Sequence, residues 1–324
     1  MEQKYNVATP ELTNNVNEIV EQNVVEFQDV GCRISGKEIL SGITLSVKRG
    51  EIMGLLGRNG AGKTTLISLI SGLRSPTSGE INVLGKKMPA HTAEFRKQMG
   101  FVLQENALYE ELTVFENLKF SASLYDVQNS QKRIHEVLEI LGLLDRRNQV
   151  VNTLSGGLKR RVAIARAFLH DPELFIIDEP TLGVDADARH AVWTYLRLLK
   201  ARRKTVIVAT NYLDEALALC DRVAVLGEGE ILTVAEPREL VRNSGTCIDI
   251  DCDKHIADKI ATDFQNDQLV THVDVTLSGI SLFLSKGANP DEALRELAKY
   301  GGIKGFCVRA SDLSEVFKSL GRSA

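Results

Sequence analysis

One glycine-rich motif constrains the fold of this chain more than any other feature of its sequence. The motif has the pattern G-x-x-x-x-G-K-[ST], follows an apolar run at residues 52–56 and precedes a helical pattern that begins at Lys63. Between a strand and a helix, such glycines let backbone N–H groups converge on phosphate oxygens, and the helix adds its positive N-terminal end. The sequence therefore predicts a phosphate-binding loop, with a flexible structural turn as the weaker alternative. Its residues are Gly57, Arg58, Asn59, Gly60, Ala61, Gly62, Lys63, Thr64 and Thr65.

Two side chains of this loop and two acidic residues downstream predict the chemistry of a Mg²⁺-nucleotide. The Lys63 ammonium reaches the β- and γ-phosphates of such a ligand, and the Thr64 hydroxyl coordinates Mg²⁺. A second apolar run, at residues 174–177, ends in Asp178 and Glu179. We expect Asp178 to hold Mg²⁺ and Glu179 to orient the attacking water, with an N-cap for the following turn as the alternative. ATP and Mg²⁺ are therefore the predicted cofactors.

The composition is that of a globular protein without a nucleic-acid footprint. The chain has 324 residues, of which 44% are hydrophobic and 25% charged, enough for two domains with sizeable cores. Its net charge of -4 removes the usual reason to expect a nucleic-acid partner. No apolar run is long enough to span a bilayer, and the polar start lacks the pattern of a signal peptide, which predicts a cytosolic site. The five cysteines include no C-x-x-C pair, so we expect reduced thiols.

The pattern along the chain predicts three segments. Residues 1–23 are polar and are expected to form an extension, while residues 24–243 alternate apolar runs with helical patterns. The runs at 52–56, 101–103, 174–177 and 205–208 are typical of strands buried on both faces, with helices between them, for example at 63–73 and 187–201. This alternation predicts an α/β domain with a mostly parallel sheet. Residues 112–143 are helical without strands, which indicates a helical subdomain at about 105–170.

Residues 246–324 are expected to form a small α+β domain. Strands are predicted at 246–251, 270–277, 280–284 and 303–308, and helices at 255–264, 290–299 and 311–320. Asn289 and Pro290 provide an N-cap and a first helical residue for the helix at 290–299. Without the last helix, the order βαββαβ predicts a ferredoxin-like fold.

A third motif indicates the family. Ser155, Gly156 and Gly157 follow Leu154 and precede a basic helical segment upstream of Asp178. A Ser-Gly-Gly sequence at a helix start can bind an anion through its hydroxyl and backbone N–H groups. Together with the phosphate loop, residues 24–243 resemble the nucleotide-binding subunit of ATP-binding cassette (ABC) transporters. The resemblance implies a P-loop ATPase domain with a helical subdomain, working as a membrane-associated transport ATPase.

In this family two subunits stack head to tail, so the resemblance implies a homodimer with two ATP molecules at its interface. Ser155, Gly156 and Gly157 of one subunit would contact the γ-phosphate held by Lys63 of the other. Asp185 resembles the aspartate that communicates across the dimer.

Two further positions of the family lie beside the phosphate site. Gln104 resembles the glutamine that contacts Mg²⁺ and links the site to the helical subdomain. The segment 105–125 resembles the surface that receives the permease subunit, with plain helical core packing as the alternative for its apolar residues.

Three positions depart from the family pattern. Asn211 stands where the switch histidine is expected, so we predict normal ATP binding with slow hydrolysis. Ile34 stands where an aromatic residue stacks on adenine, which predicts weak base selectivity. Leu158 replaces the glutamine after Ser-Gly-Gly, a variant that resembles ABC-2-type exporter ATPases, and the helix at 311–320 resembles the ending of drug-exporter ATPases. We expect the basic residues 159–161 to form a solvated helix face rather than to contact phosphate.

The predicted function is that of an ATP-hydrolysing subunit that energises an exporter through a separate permease, at the cytoplasmic face of the inner membrane. A non-transport ABC ATPase, or a regulatory subunit paired with a competent one, is the alternative, and Asn211 favours the latter.

Overall fold

The computed structural model describes residues 22–89, 92–182, 184, 186–265, 267–276, 278–285 and 287–310. The predicted helix at 311–320, nearly all of the predicted extension 1–23, and Asp185 lie outside these residues. The chain divides into two compact units: the first comprises residues up to Asn211 together with Ala218–Thr233, and the second comprises Tyr212–Leu217 and residues from Val234 onward.

The first unit contains a six-stranded sheet and a four-stranded sheet. Its strands are β1 (Asn23–Ile34), β2 (Lys37–Lys48), β3 (Ile52–Gly57), β4 (Ser78–Val83), β5 (Lys86–Lys87), β6 (Met99–Val102), β7 (Leu174–Asp178), β8 (Thr205–Thr210), β9 (Arg222–Gly227) and β10 (Glu230–Ala235), the last of which runs into the second unit. Its helices are α1 (Lys63–Ile70), α2 (Ala93–Lys97), α3 (Val114–Leu124), α4 (Ser130–Ile140), α5 (Gly156–Phe168) and α6 (Ala186–Ala201), and α7 (Leu213–Leu219) straddles the two units.

The six-stranded sheet positions the functional residues. Its order is β10-β9-β3-β8-β7-β6. Adjacent strands from β9 to β6 in this order are parallel. Strands β3, β7 and β8 are buried along their whole length, as expected where both faces of a parallel sheet are covered. The carboxyl ends of parallel strands meet at one edge of the sheet, where open α/β sheets bind ligands. The segments that follow β3, β6, β7 and β8 therefore come together at this edge.

Two of the predicted elements whose boundaries differ in the structure are a helix and a strand of the first unit. The helix predicted at 63–73 ends at Ile70, because Ser71 caps it and Gly72 takes a left-handed conformation with φ 71°. The strand predicted at 101–103 is β6, Met99–Val102, and Leu103 is exposed just after it.

The helical stretch predicted at 112–143 forms α3 and α4. A capping box starts α3, in which Thr113 accepts a hydrogen bond from the Glu116 backbone and the Glu116 side chain accepts one from Thr113 N. One face of α4 is apolar: Ile134, Val137 and Leu138, with Leu141 just after the helix, are buried in the core. None of the helices among the described residues is long and apolar enough to cross a bilayer.

The second unit has the ferredoxin-like arrangement that the sequence predicts. After α8 (Pro237–Ser244) come β11 (Thr246–Cys252), α9 (Lys254–Phe264), β12 (Val270–Thr276), β13 (Gly279–Leu284), α10 (Pro290–Leu297) and β14 (Ile303–Ala310). The sheet order is β12-β13-β11-β14 and the pairings are antiparallel. The side chain of Asn289 caps α10 by accepting a hydrogen bond from Asp291 N at 3.0 Å. Apolar side chains of β11 and β13 pack with those of α9 and α10 to form its core.

Candidate nucleotide site

The phosphate loop connects β3 to α1, and two of its glycines leave no room for a side chain. A Cβ atom at Gly57 would lie 2.7 Å from the backbone oxygen of Leu226, and one at Gly62 would lie 2.5 Å from Leu40 Cδ2. Gly62 has φ 108° and is the N-cap of α1, and as a glycine it provides no side-chain hydrogen bond to the helix start. The N-cap residue therefore leaves the first N–H groups of the helix without an acceptor from its own side chain, which is the arrangement that binds phosphate.

Lys63 is the first residue of α1, and its ammonium lies over the loop. The side chain is buried, with 6% exposure, and Nζ donates to Gly57 O at 2.6 Å and to Arg58 O at 3.0 Å. Burial lowers the pKa of Lys63, and the negative charges of Glu179 and Asp178 oppose this shift. A buried cation next to open N–H groups provides a strong site for a polyanion.

Thr64 and Asp178 form the second part of the site. Thr64 Oγ1 donates to Asp178 Oδ2 at 3.4 Å, and Asp178 is 5% exposed at the end of β7. Burial and then the Glu179 charge raise the pKa of Asp178, against the effects of Lys63 and Thr64. A hydroxyl beside a buried carboxylate provides the oxygen ligands that Mg²⁺ takes from proteins, so these residues fit the ion.

Mg²⁺ would need ligands from outside the chain as well. The described residues contain no cluster of three or more histidine, cysteine or acidic side chains that could enclose a metal. Mg²⁺ is commonly bound through one or two protein ligands together with water and substrate phosphates, and the pair Thr64 and Asp178 matches that pattern.

Glu179 and Gln104 approach each other beside this pair. Gln104 Nε2 donates to Glu179 Oε2 at 3.5 Å, across the neighbouring strands β6 and β7. Glu179 is 8% exposed and has a positive φ of 48°, a conformation that a residue with a side chain rarely adopts. Its backbone N–H donates to Ala209 O at 2.8 Å, which anchors it to β8. The strained residue thus carries its carboxylate to the sheet edge where Gln104 also lies.

The other predicted residues lie at separate places. Asn211 directly follows β8, and its Oδ1 is buried without a hydrogen-bond partner among the described residues. Ser155 caps α5, accepts a hydrogen bond from Leu158 N at 3.4 Å and is exposed, as Gly156 is, whereas Gly157 is buried. Ile34 is half-buried at the end of β1, opposite Lys37. No hydrogen bond found among the described residues joins these three positions to the phosphate loop.

The expectation that residues 159–161 form a solvated face is wrong for Arg160. This side chain is 3% exposed, and its guanidinium donates to backbone carbonyls of the two loops that follow β6 and β7. Lys159 is half-buried and pairs with Glu110, with Nζ 2.7 Å from Oε1. Helical spacing could have indicated the burial of Arg160, because it lies three residues after Gly157 and four before Ile164, both of which are buried.

The segment 105–125 contains both buried and exposed apolar side chains. Val114 and Leu118 are fully buried in the core. Tyr109, Phe120 and Leu124 are exposed, and Leu124 is 63% exposed. The three line a groove of about 460 Å³ together with Leu103, Tyr125, Arg166 and His170, among other residues.

Comparison with known proteins gives a consistent result. A family model described as "ABC transporter" matches residues 40–182. The linearmycin resistance ATP-binding protein LnrL of Bacillus subtilis is 42% identical over 211 residues, which cover 64% of this chain and 68% of that protein. The Nod factor export ATP-binding protein I of Burkholderia orbicola is 34% identical over 298 residues, 91% of this chain and 96% of the relative.

Solved structures agree with these relatives. CbiO1 of Clostridium perfringens, part of the ABC transporter complex cbiONQ, superposes with a TM-score of 0.61 at 28% identity, over 75% of this chain and 96% of that one. A dimeric ATP-binding cassette in a post-hydrolysis state with ADP and Pi gives a TM-score of 0.60 at 29% identity, over 66% of this chain and 99% of that one.

Proposed function

The chain belongs to the ABC transporter family as an ATP-binding subunit, and we propose that it acts as one half of a head-to-tail dimer beneath a separate permease. It is an ATPase that energises an exporter. The observation that carries the mechanism is the convergence of Lys63, Thr64, Asp178, Glu179 and Gln104 at one edge of the parallel sheet.

Each side chain has a proposed role that follows from its position. The loop N–H groups and Lys63 bind the triphosphate. Thr64, Asp178 and Gln104 would hold Mg²⁺, which neutralises phosphate charge during transfer. Glu179 accepts a hydrogen bond from the attacking water and polarises it, with Gln104 beside it. The other residues of the phosphate loop are proposed to complete the ATP site, together with Ile34, which would cover the adenine base.

The position of Ser155 supports the dimer. Ser155 and Gly156 are exposed at the start of α5, where the backbone N–H groups of a helix N-terminus attract anions. We propose that this helix start and Gly157 close the ATP site of a second copy, with Asp185 contributing across the same interface. The dimeric cassette that this chain resembles supports such an arrangement. A regulatory or non-transport role is not favoured, because the relatives are named for export and for resistance.

The groove lined by Tyr109, Phe120 and Leu124 is the proposed docking site for the permease. Exposed aromatic and aliphatic side chains around a concavity are typical of protein interfaces. We propose an ABC-2-type permease, a position at the cytoplasmic face of the inner membrane, and domains at residues 24–243 and 246–324.

Cross-linking tests the dimer. A mixture of Ser155→Cys and Asn59→Cys chains, both carrying Glu179→Gln to slow hydrolysis, should form a disulfide-linked dimer only with Mg-ATP. Asn59 is exposed in the phosphate loop, which suits it as the reporter position. Chains that bind ATP yet never cross-link would overturn the head-to-tail dimer.

Docking has a separate test. Phe120→Glu should leave ATP hydrolysis by the isolated chain within about twofold of wild type and abolish co-purification with the permease. Lys119→Glu, at the exposed neighbouring position, should retain that partner. Equal recovery of the partner with Phe120→Glu and with Lys119→Glu would rule out this groove.

A further inference from the structure

Arg160 connects the two loops that carry the proposed catalytic side chains. It lies in the first turns of α5, whose N-cap is Ser155, and it is buried. All three of its guanidinium nitrogens donate hydrogen bonds to oxygen atoms of these loops.

The first loop follows β6 and carries Gln104. Arg160 Nη1 donates to the backbone oxygen of Leu103, to Gln104 O at 3.5 Å and to Asn106 Oδ1 at 3.2 Å. The guanidinium therefore holds the backbone on either side of Gln104, whose side-chain amide approaches Glu179.

The second loop follows β7 and carries Glu179. Arg160 Nη2 donates to the backbone oxygen of Asp178 and to Glu179 O at 2.8 Å, and Nε donates to Pro180 O at 3.1 Å. These are three successive carbonyls around a residue with φ 48°. Such a backbone conformation persists only where its surroundings hold it.

We propose that Arg160 is a positioning residue for ATP hydrolysis, which ties the Gln104 loop to the Glu179 loop and sets the separation of these two side chains. The inference rests on the proposed function, because it concerns the same site. The chemistry requires arginine: a planar fork with five N–H donors can serve two diverging rows of carbonyls, whereas a lysine ammonium is a single point with three donors.

A second arginine in the same unit provides a matched control. Arg133 also donates to backbone carbonyls, to Phe168 O at 2.7 Å and to Leu169 O at 3.2 Å, at the opposite end of α5. Within the described part of the chain, its hydrogen bonds and ion pairs reach the end of this helix, Glu136 and Asp171, and neither of the two loops. A purely structural role for Arg160 would make the two arginines equivalent in their effect on turnover.

The experiment compares Arg160→Lys with Arg133→Lys in the full chain. We expect kcat for ATP to fall at least about tenfold in Arg160→Lys, with KM and the Kd of a fluorescent ATP analogue within about threefold of wild type. In Arg133→Lys, kcat per folded molecule should match wild type. Arg160→Met should lower kcat further; if it fails to fold, Arg160→Lys alone decides.

Hydrogen exchange gives a readout that does not depend on turnover. Peptides covering residues 99–106 and 174–182 should exchange faster in Arg160→Lys and at the wild-type rate in Arg133→Lys. If Arg160→Lys has wild-type exchange and wild-type kcat while Glu179→Gln hydrolyses ATP slowly, the role of Arg160 is overturned and the proposed function is not. Equal hydrolysis rates in wild type and Glu179→Gln would instead overturn the proposed function.

Discussion

The Thr64 hydroxyl lies 3.4 Å from the Asp178 carboxylate, measured from Oγ1 to Oδ2, although 114 residues separate the two in the chain. They meet because β3 and β7 are both parallel neighbours of β8, so that Thr64 follows the carboxyl end of one strand and Asp178 ends the other. A hydroxyl and a carboxylate oxygen this close together fit the kind of oxygen ligands that Mg²⁺ takes from proteins.

Replacing Asp178 by asparagine should stabilise the chain and reduce its activity. Burial raises the pKa of the Asp178 carboxyl, so the folded state binds a proton more tightly at this position than the unfolded state does. Its contribution to stability is therefore greatest below the unfolded pKa and is lost as pH rises through the folded pKa. At pH 7 the ionised carboxylate destabilises the fold, and Asp178→Asn should raise Tm. Mg²⁺-dependent hydrolysis should fall by about 100-fold or more.

The pH series provides the check on that assignment. Thermal melts without nucleotide should show the gain in Tm shrinking as the pH approaches about 4, near the ordinary pKa of aspartate. A gain in Tm that is the same at every pH would mean that the charge of Asp178 is not its origin. Glu173→Gln, an exposed change just before β7, is the control.

Glu179→Gln should separate catalysis from binding. Glutamine keeps the shape of the side chain but cannot accept a proton, so kcat should fall by about 10²–10⁴-fold. The Kd for ATP should stay within about threefold, because Lys63 and Thr64, the proposed ligands of the triphosphate and of Mg²⁺, are unchanged. Steady-state hydrolysis and titration with a fluorescent ATP analogue measure the two effects. An unchanged kcat would remove Glu179 from the mechanism.

Asn211→His should accelerate hydrolysis by the chain together with its permease. An imidazole can share a proton near neutral pH, which an amide cannot, and Asn211 Oδ1 is buried without a hydrogen-bond partner among the described residues. We expect kcat to rise about tenfold, toward the range of general acid–base effects. Asn211→Ala is the comparison and should not exceed the wild-type rate. If Asn211→His does not accelerate hydrolysis, the prediction that Asn211 slows turnover is wrong.

Gly57→Ala should damage the phosphate loop for a steric reason. Its Cβ would lie 2.7 Å from the backbone oxygen of Leu226 on the neighbouring strand β9, so a strand has to move. We expect a loss of about 1–3 kcal/mol in unfolding free energy and weaker ATP binding. Gly85→Ala is matched to it: the site is open but φ is 73°, so strain should lower stability while ATP binding stays normal. Denaturant melts and nucleotide titrations distinguish the two variants.

The sequence by itself determined the features that depend on neighbouring residues. The phosphate loop, Ser155 with Gly156 and Gly157, and Asp178 after its apolar run are contiguous patterns, and each begins or ends a strand or helix in the structure. The buried strands β3, β7 and β8 and the βαββαβ order of the second unit were predictable for the same reason. Apolar periodicity along a short segment reports which face of that segment is buried.

Only the tertiary structure decided how these segments meet. The order β9-β3-β8-β7-β6 brings Gln104 to Glu179 and Thr64 to Asp178, and no local pattern records which strands become neighbours. The burial of Arg160 was mispredicted because the charge of the basic run was given more weight than the helical spacing of this residue. Its burial is favourable here because two loops, distant in sequence, present their carbonyl oxygens to it. The hydrogen-bond partners that make a buried charge acceptable come from the rest of the fold.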